Sequence, residues 1–125
     1  MKEYDALIEP ESEKWLKLSE EHRIEMIESY VRNNETTIED EALLLHSSIH
    51  MVVENQLAEN IESTKEAYKR LLRQGLNRHE TIHAIGAVVT EDIYNMLKNK
   101  EAFNDEKYKN RLRKLTAKRW KKGKY

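Results

Sequence analysis

The chain has 125 residues, 38% of them apolar and 36% charged, which is enough for one domain with one modest core and too few for two. Three glycines, one proline and no cysteine exclude a disulfide framework, a thiolate zinc site and a cysteine nucleophile, and argue against a turn-rich all-β fold. The net charge of −1 hides two unequal parts: residues 1–106 hold all 23 acids against 12 bases, giving −11, while residues 107–125 hold ten Lys and Arg and no acid. The expected division is an acidic helical-bundle domain, 1–106, and a basic C-terminal helix or arm, 107–125, packed on that domain or reaching a polyanion. Apolar runs are only a few residues long, and MKEYDALIEPESEK does not have the basic-then-apolar order of a secretory signal. The expectation is a cytoplasmic, bacterial-type protein without a membrane partner.

In chain order, Trp15, Leu16 and Leu18 form an anchor ahead of the first helix. Ser19 is its expected N-cap, with Glu20 and Glu21 placed to meet the positive helix end. Ile24, Ile27, Tyr30 and Val31 share one face, and Asn33 and Asn34 end the helix. Thr37 with Asp40 resembles a capping box for a second helix over 38–58, whose inner face reads Ala42, Leu45, Ile49, Val53, Leu57. A third helix from near Asn60 turns Ala67, Tyr68, Leu71 and Leu72 inward and stops at Gly75, suited to the left-handed C′ position. Asn77 opens a fourth, with Glu80 completing a second box-like pattern and Ile82, Ile85, Val89, Ile93 and Met96 forming its stripe. Gly86 within that stripe predicts a close helix crossing or a small space beside His83, since glycine costs about 1 kcal/mol there relative to alanine. A fifth helix from Asp105 aligns Tyr108, Leu112 and Leu115, with Trp120 near its end. These elements predict an all-α fold, an up-and-down helical bundle of four core helices plus a basic C-terminal helix.

Four of the five histidines fall in two i,i+4 pairs, His46/His50 and His79/His83, on different helices. One helical turn sets two imidazoles on one side at a separation that a single metal ion bridges, and Glu54 adds a carboxylate one turn beyond His50. Residues 79–83 also match H-E-x-x-H, in which Glu80 would activate water on a zinc ion. That reading sits awkwardly, because Glu80 is the N3 residue after Asn77 and its carboxylate serves the helix start. A di-metal carboxylate site uses Glu80 and His83 as Glu-x-x-His but lacks the second such element. The reading preferred is a mononuclear site of His50, His79 and His83, with Glu54 or His46 as fourth ligand or as an orienting group, for one divalent transition metal, Zn or Ni before Fe. In the alternative, the histidines are structural, hydrogen-bonded to carbonyls or to Glu54, and Glu54 and Asn55 anchor an interhelical network.

The segments HSSIHMVVENQLA, 46–58, and GLNRHETIHAIGAVVTEDIY, 75–94, resemble the paired H-x-x-x-H-x-x-x-E-N and R-H-E-x-I-H-A-I-G motifs of a family of small bacterial helical proteins of unknown function. The resemblance implies a compact helical fold and a shared cluster of His46, His50, Glu54, His79, Glu80 and His83, and it implies no reaction. In one departure, Val31 stands where the resemblance leads to histidine. The basic tail, with Tyr108, Trp120 and Tyr125 available to stack on bases, keeps nucleic-acid binding open as a competing reading. A small-molecule ligand and a homo-oligomer are the other partners compatible with the sequence. If the metal site keeps an open position, hydrolysis by activated water is the chemistry it most readily supports.

Overall fold

Ser19 opens the first long helix as its sequence predicts, its side chain accepting from the His22 amide at 3.1 Å. The computed structural model describes residues 2–125, and among them it is all-helical, without strands. The helices are α1 (Ser12–Lys17), α2 (Glu20–Asn34), α3 (Asp40–Ala58), α4 (Glu62–Arg73), α5 (Arg78–Asn99), α6 (Asp105–Lys114) and α7 (Ala117–Lys121). Two of these were not expected. The Trp15 anchor is itself the helical turn α1, held because Trp15 is fully buried and its indole N–H donates to Asn55 Oδ1 at 2.9 Å. The fifth predicted helix divides at Leu115, which turns extended, and Thr116 caps α7 by accepting from the Arg119 amide.

The start of α3 also differs from expectation. The chain turns at Glu35–Ile38, where the Ile38 amide donates to the Glu35 carbonyl at 3.0 Å, so Thr37 lies inside a turn and Glu39 takes the N-cap position without a side-chain cap. The buried face of α3 is Leu43, Ser47, His50, Val53 and Glu54. Of the predicted stripe, Val53 is buried and Ile49 and Leu57 pack against the core as expected, whereas Ala42 is exposed and Leu45 is 59% exposed, so the face is rotated at the start of the helix. Both later helix boundaries follow prediction. Gly75, at φ 99°, ends α4 with its amide on the Leu72 carbonyl and the Leu76 amide on that of Leu71, a Schellman closure. Asn77 and Glu80 form a reciprocal capping box at the start of α5.

α3 packs against α1, α2, α4 and α5, and α6 packs against α4 and α5. It contributes Leu43 to a cluster built on Tyr4, Trp15, Ile27 and Val31, and Val53 to a second cluster built on Leu71, Ile82, Ile85 and Val88. The second cluster includes Tyr108, Leu112, Leu115 and Ala117, so the basic segment is part of the core. Arg111 pairs with Asp92 on α5, and Arg70 on α4 donates to the Leu112 and Leu115 carbonyls. Lys118, Arg119, Lys121, Lys122 and Lys124 remain exposed.

α3 and α5 approach closely because α5 has no side chain at Gly86, where a Cβ would lie 2.9 Å from Ile49 Cγ2. That atom is a branch methyl on Cβ and has little room to retreat. Gly86→Val is therefore expected to cost about 1–3 kcal/mol as an overpacked crossing, read as a lower urea midpoint with an unchanged slope.

Candidate metal centre

The crossing at Gly86 sets His50 opposite His83, Nε2 to Nε2 at 3.1 Å. One helical turn back along each helix supplies the rest: His46 precedes His50 on α3, and His79 precedes His83 on α5 with its Nε2 3.1 Å from that of His83. The rings meet edge to face rather than stacked, at 86° for His50/His83 and 84° for His46/His83, so their nitrogens point to a common centre.

Glu35 completes the group. Its Oε1 lies 2.6 Å from His46 Nε2 and 2.8 Å from His83 Nε2, and its Oε2 lies 3.1 Å from His50 Nε2 and 3.2 Å from His79 Nε2. Donor atoms of Glu35, His46, His50 and His83 all fall within 4.8 Å of one another. The carboxylate follows the last turn of α2, and the turn at 35–38 carries it back over the histidines. Burial disfavours its charged form, but the four imidazoles gathered around it outweigh that and hold the carboxyl far below the usual range.

His83 Nε2 has more polar neighbours than it has hydrogen-bonding positions. An imidazole nitrogen has one in-plane position, either a lone pair or an N–H, yet His83 Nε2 faces two other Nε2 atoms and a carboxylate oxygen. Glu35 Oε2 is buried without a well-directed hydrogen bond, although two imidazole nitrogens stand near it. Bonds of about 2.0–2.2 Å to a cation would place adjacent ligands about 2.9–3.4 Å apart; the His50/His83, His79/His83 and Glu35 Oε2 distances fall in that range, and the two Glu35 Oε1 distances are shorter, as in direct hydrogen bonds.

The protonation of His50 follows from its surroundings. Tyr4 donates its hydroxyl hydrogen to Glu54 Oε2 at 2.6 Å, so toward His50 Nδ1, 3.3 Å away, the phenol oxygen accepts. Nδ1 therefore carries the hydrogen, and Nε2 presents its lone pair to the cluster. Burial pushes the His50 pKa down, against the opposing pull of Glu35, which favours the neutral, ligating form. A neutral His50 and the Glu35 carboxylate then face each other as two acceptors, an arrangement that a cation between them stabilises. This chain from Glu54 through Tyr4 to His50 is the outer support that ligating histidines commonly have.

The sequence-predicted residues thus separate. His46, His50, His79 and His83 come together. Glu54 does not join them: Tyr4 stands between, and Arg78 engages both its oxygens, Nη1 to Oε2 at 2.9 Å and Nη2 to Oε1 at 2.7 Å. Its place is that of an orienting group. Glu80, expected as the base of an H-E-x-x-H site, accepts instead from the Asn77 amide at 3.0 Å at the start of α5. The proteolysis reading thereby loses its base.

Glu35 and Tyr4 were missed. Glu35 is one of 23 acids and sits in a turn, outside any helical register that the histidines share. The one pointer was Val31, the position of the departure, which lies one turn before it and whose carbonyl accepts from the Glu35 amide at 2.7 Å.

The residues after Glu54 also anchor neighbours. Asn55 Oδ1 accepts from Trp15 and Arg23, and Gln56 Oε1 from Thr64 and Tyr108. The run 54–56 therefore ties the N-terminal segment, α1, α2, α4 and α6 to the end of α3, which is the interhelical network weighed as the alternative role of Glu54 and Asn55.

Fold and site together define an all-helical domain with a His/Glu cluster spanning the α2–α3 turn, α3 and α5. The sequence model of DUF1841, a domain of unknown function, matches residues 9–114, and the chain belongs to that family. The match runs through α6, across the charge boundary at 106/107. No curated protein and no solved structure matches the chain.

Proposed function

We propose that the protein binds one divalent transition-metal ion through His46, His50, His79 and His83 and the Glu35 carboxylate. The observation that carries this reading is the convergence of four Nε2 atoms on a buried carboxylate whose Oε2 has no directed donor. Imidazole and carboxylate suit Zn, Ni and Fe alike; Glu35, His46, His50 and His83 form the compact donor group, and His79 stands at its edge beside His83. Such an ion would supply Lewis acidity or an activated water. The chain's own part is to fix the donors, with Tyr4 and Glu54 holding the His50 tautomer and Glu35 neutralising one charge.

The test is the metal content of protein prepared without a histidine tag and loaded separately with Zn, Ni or, without oxygen, Fe(II). The expected result is one ion per chain, lost in Glu35→Ala/His83→Ala. No stoichiometric metal under any of the three conditions overturns the reading, and favours histidines that only hydrogen-bond with Glu35.

A further inference from the structure

The cluster has an apolar neighbour. A cavity of about 380 Å³ opens beside it, with His46, His50 and His83 on one wall and Ile38, Ala42, Leu45, Ile49, Ala87 and Trp120 among the others. That volume is within the range of small-molecule sites, which are mostly apolar with a few convergent polar groups. Here the convergent groups are the three histidines. Of the other lining side chains with a polar group, Thr90 already donates its hydroxyl to the Gly86 carbonyl at 2.8 Å, and Trp120 offers an indole N–H. No Lys, Arg, Asp or Glu lines the cavity.

Resting on the metal reading above, we propose that this cavity binds a small monocarboxylic acid with an unbranched or aryl apolar body, its carboxylate on the metal and its body against α3, α5 and Trp120. The charge balance selects the head group. A divalent ion with neutral imidazoles and one carboxylate keeps a charge of +1, which an anionic oxygen ligand neutralises, and the walls offer no Asp or Glu that could take that role. The wall chemistry selects the body. Leu45, more than half exposed at the rim, and Ile49 gain cover when an alkyl or aryl group enters. The packed C-terminal segment acquires a part in this site, because Trp120 of α7 belongs to the lining.

The experiment titrates metal-loaded protein with acetate, butyrate, hexanoate and octanoate by calorimetry, after the metal content has been measured. Affinity is expected to rise about fourfold per added methylene until the cavity is filled. It should fall at least tenfold for octanoate in Ala87→Phe and in Ala42→Trp, which narrow the cavity from α5 and from the exposed start of α3 while leaving every ligating group in place. Metal content of both variants should stay at one ion per chain, and removing the metal should weaken octanoate binding. Equal affinity for acetate and octanoate overturns the proposal, as does octanoate affinity unchanged in both variants or indifferent to metal. Failure to take up metal overturns this proposal together with the reading beneath it, and is seen from the metal content before any acid is added.

Discussion

Replacing Glu54 with leucine is expected to lower the stability of the metal-free protein by about 3–5 kcal/mol, the cost of stranding a buried charge. Arg78 is the stranded partner: its side chain is 6% exposed and that of Glu54 1%. Burial disfavours the guanidinium, but the paired hydrogen bonds it donates to Glu54 more than offset this and hold its pKa above the ordinary range, so it stays charged. After the substitution Arg78 keeps the Ala6 carbonyl and the Tyr68 hydroxyl as acceptors and has no counter-charge. Total stability of such a domain is about 5–15 kcal/mol, so the loss should appear as a large fall in the urea midpoint. The double variant Glu54→Leu/Arg78→Met should recover part of it, because an apolar pair of similar volume removes the desolvation cost from both sides. An unchanged midpoint in Glu54→Leu would show that the buried Glu54–Arg78 pair contributes nothing net to the fold.

Why the sequence misplaced Glu54 is instructive. His46, His50 and Glu54 repeat every four residues, and by helical register alone all three project on one stripe of α3. Four residues per repeat against 3.6 per turn shifts each position by about 40°, so by Glu54 the stripe has turned away from the other histidines toward the N-terminal segment and Arg78 at the start of α5. Tyr4 fills the space there. Register on one helix could show which residues share a side, but not which neighbour covers each part of it.

Glu35 illustrates the opposite case. The two histidine pairs were legible because i,i+4 spacing has a geometric meaning on any helix, and Gly86 was legible because a glycine in an apolar stripe calls for a close approach. A carboxylate in a turn carries no such mark. Its role depends on the angle between α2 and α3, fixed by packing of Ile27, Val31 and Leu43 in one cluster. The rotated face of α3 has a similar origin. Leu45 and Ile49 look like core in a hydrophobicity pattern, yet the inner positions belong to Ser47, His50 and Glu54, and the displaced apolar residues line the cavity beside the histidines. Polar residues inside and apolar residues at the rim are the reversal that a binding site produces in an otherwise regular amphipathic helix.

Adding a divalent transition metal is expected to raise the melting temperature, and Tyr4→Phe should reduce that rise without removing a ligand. At free metal a thousandfold above Kd the stabilisation is about 4 kcal/mol, on the order of 10–20 °C for a domain of this size. Loss of the Tyr4 hydroxyl frees the His50 Nδ1–H of its acceptor, so the ring no longer has one preferred tautomer and orientation. Outer supports of this kind typically contribute 10- to 100-fold in affinity, which at the same metal concentration removes about 1.4–2.7 kcal/mol of the stabilisation, roughly a third to two thirds of the shift. Each variant is compared with its own metal-free baseline, because the substitution also takes one donor from Glu54, whose Oε2 Arg78 continues to hold. Lowering the pH from about 7.5 to about 5.5 should shrink the shift in both proteins, since protons compete for the imidazoles. Equal shifts in wild type and Tyr4→Phe would show that His50 is held by packing alone. A shift absent from both would leave the four histidines as hydrogen-bonding partners of Glu35, with the buried Oε2 of that carboxylate still in need of a donor.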